Sequence, residues 1–257
     1  MKKILIMGLP GSGKTTLAKE ILKILDADWL NADKVRKKYK DWDFSKKGII
    51  NQSKRMNILS RKSKKKFIIA DFICPYKEGR KIFNPNYLVW VDTIKKSKYK
   101  NMNKVFQKPK NFNYKVIDKN AKLHALKIVS KLKNYNWNNK KPTSQMLGRF
   151  QPFHDGHLRL FEKIITLTGQ VLICVRDVYN TRDNPFKFSV VKKKINSKLI
   201  QNYKGRYRIV PISNITEICY GRKVGYRTHK IKLSKKIEQI SATNIRKKLR
   251  RLGKLKK

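Results

Sequence analysis

Short apolar runs alternate with longer amphipathic stretches along this chain, and the alternation occurs twice. In the first half Ile4-Leu5-Ile6-Met7 is an unbroken apolar run of strand length, followed by a glycine turn and a helical pattern over about residues 14–25. Trp29-Leu30 reads as a brief second strand. A polar, lysine-rich helix is expected over residues 46–64, and Phe67-Ile68-Ile69-Ala70 and Tyr87-Leu88-Val89-Trp90-Val91 read as further buried strands. Residues 121–132 close the half as an amphipathic helix. Strands that alternate with helices imply a parallel sheet, because each parallel connection has to cross over the sheet.

The pattern then breaks. Residues 134–144 are polar, contain Pro142 and follow neither period, which predicts a linker. Beyond it a strand is expected over 145–150, a helix over 154–167, a strand over 171–175, a helix over 190–200, an extended segment over 207–211 and a helix over 242–252. Two alternations around one break predict an α/β protein of two domains, 1–133 and 145–257.

Composition adds constraints. Hydrophobic residues are 40% of the 257, enough for ordinary cores. No apolar run approaches the roughly 18 residues that span a bilayer. The basic lead and apolar run of Met1 to Met7 superficially resemble a signal peptide, but the run stops at Gly8 in a phosphate-binding motif and reads as a core strand. Cys74, Cys174 and Cys219 are widely separated and unpaired in spacing, which fits reduced thiols in a cytoplasmic protein with neither a zinc site nor a disulfide framework. Lys plus Arg number 65 against 16 Asp plus Glu, a formal charge of +49. Such a surface attracts nucleic acid by displacing counterions. The excess runs from Lys2 to Lys257, however, and accompanies abundant Asn, Ile, Tyr and Phe, residues with A- and T-rich codons. Compositional bias is therefore preferred over a dedicated nucleic-acid surface, and no helix-turn-helix, zinc finger or RNP-type signature accompanies it. The positive field would draw small polyphosphates toward the protein.

Gly8-Leu9-Pro10-Gly11-Ser12-Gly13-Lys14-Thr15 is a complete G-x-x-x-x-G-K-T motif between a strand and a helix. Glycines let backbone N–H groups turn toward phosphates, and the helix start adds its positive dipole end. Lys14 is placed to reach the β- and γ-phosphates and the Thr15 hydroxyl to ligate Mg²⁺. Candidate nucleotide-binding residues are thus Gly8, Gly11, Ser12, Gly13, Lys14, Thr15 and Thr16, with ATP as substrate. An acid at a strand end facing this loop is the expected metal or hydroxyl partner, and Asp33 and Asp71 compete for it.

Gly8 to Thr16, then Leu30-Asn31-Ala32-Asp33-Lys34-Val35-Arg36, Asp43-Phe44-Ser45, and Asp71-Phe72-Ile73-Cys74-Pro75-Tyr76 with Arg80, resemble adenylyl-sulfate kinase in order and spacing over residues 1–118. Asn31 and Cys74 stand where that family has Asp and Ser. The resemblance implies that Asp33 serves Mg²⁺ or the acceptor hydroxyl, that Arg36 binds the acceptor's anionic group, and that Phe72, Ile73, Cys74 and Pro75 line the acceptor pocket with Arg80 beside them.

The second half carries Gly148-Arg149-Phe150-Gln151-Pro152-Phe153-His154-Asp155-Gly156-His157. Histidines at i and i+3 share a helix face, and their ring N–H groups can donate to phosphate oxygens at a helix start. Gly156 is expected to leave room for a triphosphate near the backbone. Zinc is the rival reading, but no nearby Cys, Glu or third His completes a tetrahedral set. Near the end of the sequence lies Ile240-Ser241-Ala242-Thr243-Asn244-Ile245-Arg246, a second set of phosphate donors at a helix start.

Together these two segments resemble the nucleotidyltransferase superfamily, most of all the archaeal nicotinamide-nucleotide adenylyltransferases, over residues 145–252. The resemblance implies a Rossmann-like domain in which a substrate phosphate attacks the α-phosphorus of a nucleoside triphosphate, ATP or CTP, and pyrophosphate leaves. His154, His157 and Arg246 would stabilise the charge, with Gly148, Arg149, Phe150, Gly156, Ser241 and Thr243 around the nucleotide. Tyr179, Asn180 and the segment from Tyr220 to Tyr226 would lie around the substrates. The sequence thus predicts a bifunctional kinase and nucleotidyltransferase acting on small-molecule nucleotides with Mg²⁺. Two alternatives stand beside it: a pyridine-nucleotide salvage enzyme, pairing a riboside kinase with an adenylyltransferase, and a nucleic-acid-binding or end-processing P-loop protein.

Overall fold

The computed structural model describes residues 1–219, 221–222, 225 and 227–255. Tyr220, Lys223, Val224 and Tyr226, part of the expected substrate segment, lie outside the described residues. The chain is mixed α/β with parallel sheets and forms two compact units, Met1–Val129 and Ser130–Lys257.

In the first unit β1 (Lys2–Met7), β2 (Asp28–Asn31), β3 (Phe67–Asp71), β4 (Tyr87–Val91) and β5 (Tyr114–Val116) form one sheet in the order β2-β3-β1-β4-β5, every pairing parallel. Ile4 to Met7 of the central strand are 0% exposed, because helices cover both faces; such a strand reads as an apolar run rather than an alternation. Those helices are α1 (Lys14–Leu22), α2 (Ala32–Tyr39), α3 (Lys46–Arg61), α4 (Lys77–Phe83), α5 (Lys100–Val105) and α6 (Ala121–Leu132). Leu5, Met7 and Ala70 of the sheet pack with Val35, Met56 and Phe83 from the helices. The register pairs Ile6 with Asp71 and Asn31 with Asp71, so β1, β2 and β3 end level with one another. Ligands of open α/β sheets bind beyond such ends.

The second unit holds β6 (Ser144–Gly148), β7 (Val171–Arg176) and β8 (Tyr207–Ile212) in sequential parallel order. Its helices are α7 (Asp155–Thr168), α8 (Phe188–Tyr203), α9 (Lys235–Glu238) and α10 (Ala242–Arg251). Phe161 of α7 meets Tyr203 of α8 edge-on at 5.1 Å, and the Tyr203 hydroxyl donates to the Glu162 carboxylate at 2.9 Å. No described helix is long and apolar enough to cross a membrane.

The long elements match the expected strands and helices. Shorter ones (α2, α4, α5, α9 and β5) were not legible, because a few residues dominated by lysine carry no readable period. Residues 134–143 are not a free tether. Gln170, fully buried, donates to the Asn138 carbonyl at 2.8 Å and to Thr143 Oγ1 at 2.6 Å. The Arg206 guanidinium lies 4.1 Å from the Tyr135 ring centre. Gly205, at φ +76°, sits so close to Tyr135 that a Cβ there would overlap the Tyr135 carbonyl. Gly205→Ala therefore strains the backbone and lifts the strap together. We expect a loss of more than about 1 kcal/mol of stability and faster proteolysis within 134–143; thermal unfolding and limited digestion equal to wild type would show that the strap is not clamped.

Candidate active sites

The loop after β1 turns through left-handed backbone at Gly11 (φ +82°) and Gly13 (φ +94°), the latter opening α1. Ser12 is buried with its hydroxyl lacking a hydrogen-bond partner, and Thr93 Oγ1 braces the loop by donating to the Ser12 carbonyl at 2.7 Å. Lys14 folds over the loop, Nζ donating to the Leu9 carbonyl at 2.8 Å. Burial lowers its pKa to about 8, partly offset by the charges of Asp71 and Asp33. Thr15 Oγ1 donates to Asp71 Oδ2 at 2.6 Å, while Thr16 on the next position of α1 is exposed.

Asp71 is 2% exposed, and burial raises its pKa against the hydrogen bonds that hold it. Those come from Thr15, from Trp29 Nε1 at 2.8 Å and from Asn31 Nδ2 at 3.1 Å. Asn31 also caps α2, its side-chain oxygen accepting from the Lys34 amide at 3.1 Å. An amide at position 31 thus bonds to a buried carboxylate that an Asp would repel. Between the competing acids, it is Asp71 that adjoins Thr15. Asp33 is exposed on the first turn of α2, within electrostatic reach of Lys14, and Asn31 rather than Asp33 is the cap. A hydroxyl and a carboxylate oxygen 2.6 Å apart are the hard donors that Mg²⁺ takes, so Thr15 and Asp71 fit that ion.

The residues expected around the acceptor are disposed differently. Arg36 is buried, its guanidinium donating to the carbonyls of Asp41 at 3.1 Å and Asp43 at 3.0 Å. Arg80 donates to the carbonyls of Cys74 and Pro75 at 3.1 and 3.2 Å. Phe72 and Cys74 belong to the core, Phe72 meeting Phe83 edge-on at 5.5 Å, and burial pushes the Cys74 thiol up to about 12. Pro75 is buried as well; of this segment Ile73 keeps partial exposure.

In the second unit His154 caps α7: its Nδ1 accepts from the Gly156 amide at 3.1 Å, while His157 Nδ1 accepts from the His154 amide at 3.3 Å. The two rings lie 3.9 Å apart at 30°, and Phe150 and Phe153 wall the His157 ring at 5.1 and 5.4 Å. Burial, then the neighbouring His154, lowers the His157 pKa to about 3; burial also lowers that of His154. Both imidazoles are therefore neutral at pH 7. With Nδ1 accepting in each, the proton is assigned to Nε2, leaving two N–H donors for a ligand. A Cβ at Gly156 would sit 2.9 Å from the His154 ring, so the glycine makes room for the capping imidazole.

Arg246 is 6% exposed and ties α10 to this loop, donating to the Gln151 carbonyl at 2.7 Å, to Asp183 at 2.9 Å and to Thr243 Oγ1 at 3.2 Å. Its Nε is buried without a partner. Ser241 holds the cap position of α10. Gln151 further holds Phe186 through both its amide atoms, at 2.8 and 2.9 Å. Gly148 packs beneath the Phe150 ring and Arg149 is exposed. Beyond the ends of β7 and β8 a cleft is lined by Gln151, Arg176, Asp177, Tyr179, Phe186 and Pro211. Asn180 (φ +75°) lies in the turn beside it, bonded to Asn184. Sequence reasoning did not single out Thr93, Trp29, Gln151 or Asp183; each is recognisable only by its partner across the fold.

The comparisons with known proteins agree with this division. Residues 4–71 match the family model described as AAA domain, and residues 146–217 match the one described as cytidylyltransferase-like. The chain thus carries an N-terminal segment, containing the P-loop, similar to the AAA-domain model and a C-terminal segment similar to the cytidylyltransferase-like model. No curated protein matches it. Among solved structures it is similar to a mutant APS kinase of Mycobacterium tuberculosis (22% identity, 51% of this chain and 96% of that one, TM-score 0.43). The same kinase in complex with AMPPNP and APS is 19% identical over 51% and 96%, TM-score 0.45. A shikimate kinase of Acinetobacter baumannii in complex with shikimate is 18% identical over 51% and 93%, TM-score 0.38. The acceptors differ between these structures, and likeness at this level does not choose among them.

The His157 shift has a stability consequence. The folded ring stays neutral down to about pH 3, whereas the unfolded ring takes up a proton near its ordinary value of 6.5. The unfolded state binds more protons between these values, so this contribution is full above 6.5 and is lost as pH falls toward 3. Urea unfolding at about pH 7.5 and about pH 5 should show a loss for wild type that His157→Asn reduces. Equal pH dependence in the two proteins would contradict the burial of a neutral His157.

Proposed function

We propose that the chain is a bifunctional transferase of phosphorus-containing groups, a kinase over residues 1–133 and a nucleotidyltransferase over 145–257. One observation carries the reading. In each unit polar side chains gather at a helix start beyond parallel strand ends: Lys14 and Thr15 with Asp71 in the first, the paired His154 and His157 rings in the second.

In the first site the loop amides from Gly8 to Thr15 and the Lys14 ammonium cradle the phosphates of ATP, with Thr16 beside them. Mg²⁺ held by Thr15 and Asp71 would neutralise charge on the β- and γ-phosphates. Asp33, exposed and within electrostatic reach of Lys14, would accept the proton of the acceptor hydroxyl as its oxygen bonds to the γ-phosphorus and ADP leaves. In the second site a phosphate oxygen of the substrate bonds to the α-phosphorus and pyrophosphate departs. The nucleophile is already ionised, so no base is needed; His154 and His157 donate N–H groups to the developing charge, and Arg246, bonded to Gln151, Asp183 and Thr243, would add its positive field and hold the loop before α7 in place. Ser241, Thr243, Gly148 and Arg149 surround the nucleotide, while Tyr179 and Asn180 border the acceptor cleft.

The acceptor of the first site is read, by the motif over residues 30–36, 43–45 and 71–76, as adenylyl-sulfate-like. A second reading is favoured by the hydrogen bonding of Arg36 and Arg80 to their own backbone, which engages both guanidinium groups that would take an acceptor's anion. A riboside offers a neutral hydroxyl and needs neither group. In this reading the kinase makes the mononucleotide that the transferase then adenylylates.

Full-length protein tests both. Lys14→Ala should lower γ-phosphate transfer by about 10²-fold or more and leave pyrophosphate release near wild type. His157→Ala should do the reverse. Loss of both activities in each well-folded variant would sink the two-site reading. With ATP and Mg²⁺, phosphorylation of adenylyl sulfate but not nicotinamide riboside would decide for the first acceptor, and the opposite result for the second.

A further inference from the structure

Three side chains hold the Asp71 carboxylate of the first site, and they divide its two oxygens unequally. Asn31 and Asp71 stand opposite each other in the register of β2 and β3, and Trp29 lies two positions before Asn31. Residues two apart share one face of a strand, so the indole and the amide both reach the carboxylate from β2. Thr15 reaches it from the first turn of α1.

Oδ1 of Asp71 accepts from Trp29 Nε1 at 2.8 Å, and Oδ2 accepts from Thr15 Oγ1 at 2.6 Å. Asn31 Nδ2 lies 3.2 Å from Oδ1 and 3.1 Å from Oδ2. A nitrogen equally close to both oxygens sits between them, in the position from which a cation would grip both at once. The direction of that amide is fixed from its other end. Asn31 Oδ1 caps α2 by accepting from the Lys34 amide at 3.1 Å, which turns the NH₂ group toward Asp71. Asp71 itself is 2% exposed, so its carboxylate is enclosed among these donors rather than free to turn toward solvent.

Divalent ions differ in what they ask of a carboxylate. Mg²⁺ is small and demands a near-ideal octahedron, which the narrow bite of a chelating carboxylate distorts. The larger Ca²⁺ takes carboxylates through one oxygen or through both. With Trp29 on Oδ1 and Asn31 between the oxygens, the atom left beside Thr15 is Oδ2.

We propose that Asn31, supported by Trp29, is a metal-selectivity determinant of the kinase site. By filling the chelating position of Asp71 it restricts the carboxylate to one-oxygen ligation through Oδ2, and so favours Mg²⁺ over Ca²⁺. The proposal rests on the reading of Thr15 and Asp71 as the residues that hold Mg²⁺. Asn31 touches neither the ion nor ATP; it is a positioning residue that acts through Asp71. A side chain serving only as the cap of α2 would make no difference between two ions.

Calorimetric titration of full-length protein with ATP, in Mg²⁺ or in Ca²⁺, reads this selectivity as a ratio of two affinities. The binding event that Lys14→Ala removes belongs to the first site, which sets aside ATP taken up by the second unit. Asn31→Ser keeps a hydroxyl to cap α2 and removes the amide from between the oxygens. It should raise ATP affinity in Ca²⁺ relative to Mg²⁺ by about tenfold. Trp29→Phe, which keeps a ring and deletes the donor to Oδ1, should shift the ratio in the same direction by less. Thermal unfolding checks each variant, and Trp29→Phe decides alone if Asn31→Ser does not fold. A wild-type ratio in the folded variants, or a loss by the same factor in both ions, would overturn the proposal and leave the kinase reading intact. If no ATP binding depends on Lys14, the kinase reading falls and the selectivity falls with it.

Discussion

The first amide N–H groups of any α-helix have no partner within the helix, and the two units of this chain dispose of them in opposite ways. In the first, α1 opens on Gly13, which has no side chain to cap it, and the donors stay free for an incoming phosphate. In the second, His154 and His157 take two backbone donors at the start of α7 onto their Nδ1 atoms. The donor function is moved outward, from backbone amides to ring Nε2–H groups. The same constraint thus yields a cradle made of backbone in one unit and of side chains in the other. It also explains the glycines: one at an uncapped left-handed start, the other where a Cβ would collide with the capping ring.

Burial then sets the ionisation that each chemistry needs. Lys14 and Asp71 are desolvated together, the amine falling to about 8 and the carboxyl rising, each opposing the other's shift. The imidazoles need the reverse treatment. Two protonated rings 3.9 Å apart would repel, whereas two neutral, oriented rings donate without that cost. Walling His157 with Phe150 and Phe153 keeps it neutral, which is why aromatic residues flank the pair in the sequence.

Much of this was legible in the chain alone, for a physical reason: phosphate chemistry at helix starts demands contiguous residues. Gly8 to Thr15 and Gly148 to His157 are local in sequence, and so both could be read. What could not be read depends on partners far along the chain. Asp71 reaches Thr15 across 56 positions and Arg246 reaches Gln151 across 95. A strand-end acid looks alike at 33 and 71, and only the level ending of β2 and β3 separates them. Arg36 and Arg80 are alike in this respect, since the sequence cannot show that each also bonds to the carbonyls of its own loop. The strap over 134–143 is polar because it bonds to Gln170, not because it is free.

The charge balance sharpens this point. With 65 basic residues against 16 acidic ones, the position of a lysine says little, whereas the position of an acid says a great deal. Asp71 sits among Thr15, Trp29 and Asn31; Glu162 joins Arg159 to the buried Tyr203 hydroxyl; Asp183 meets Arg246; Asp92 meets Lys115 at 3.0 Å. These acids lie where a cation or a buried donor has to be held in one geometry. Asp41 and Asp43 belong to this set: they bond inward and shape a loop whose outer face is left to aromatics and lysines. A biased composition accounts for the number of lysines but not for two scarce carboxylates arranged to hold exposed rings in place.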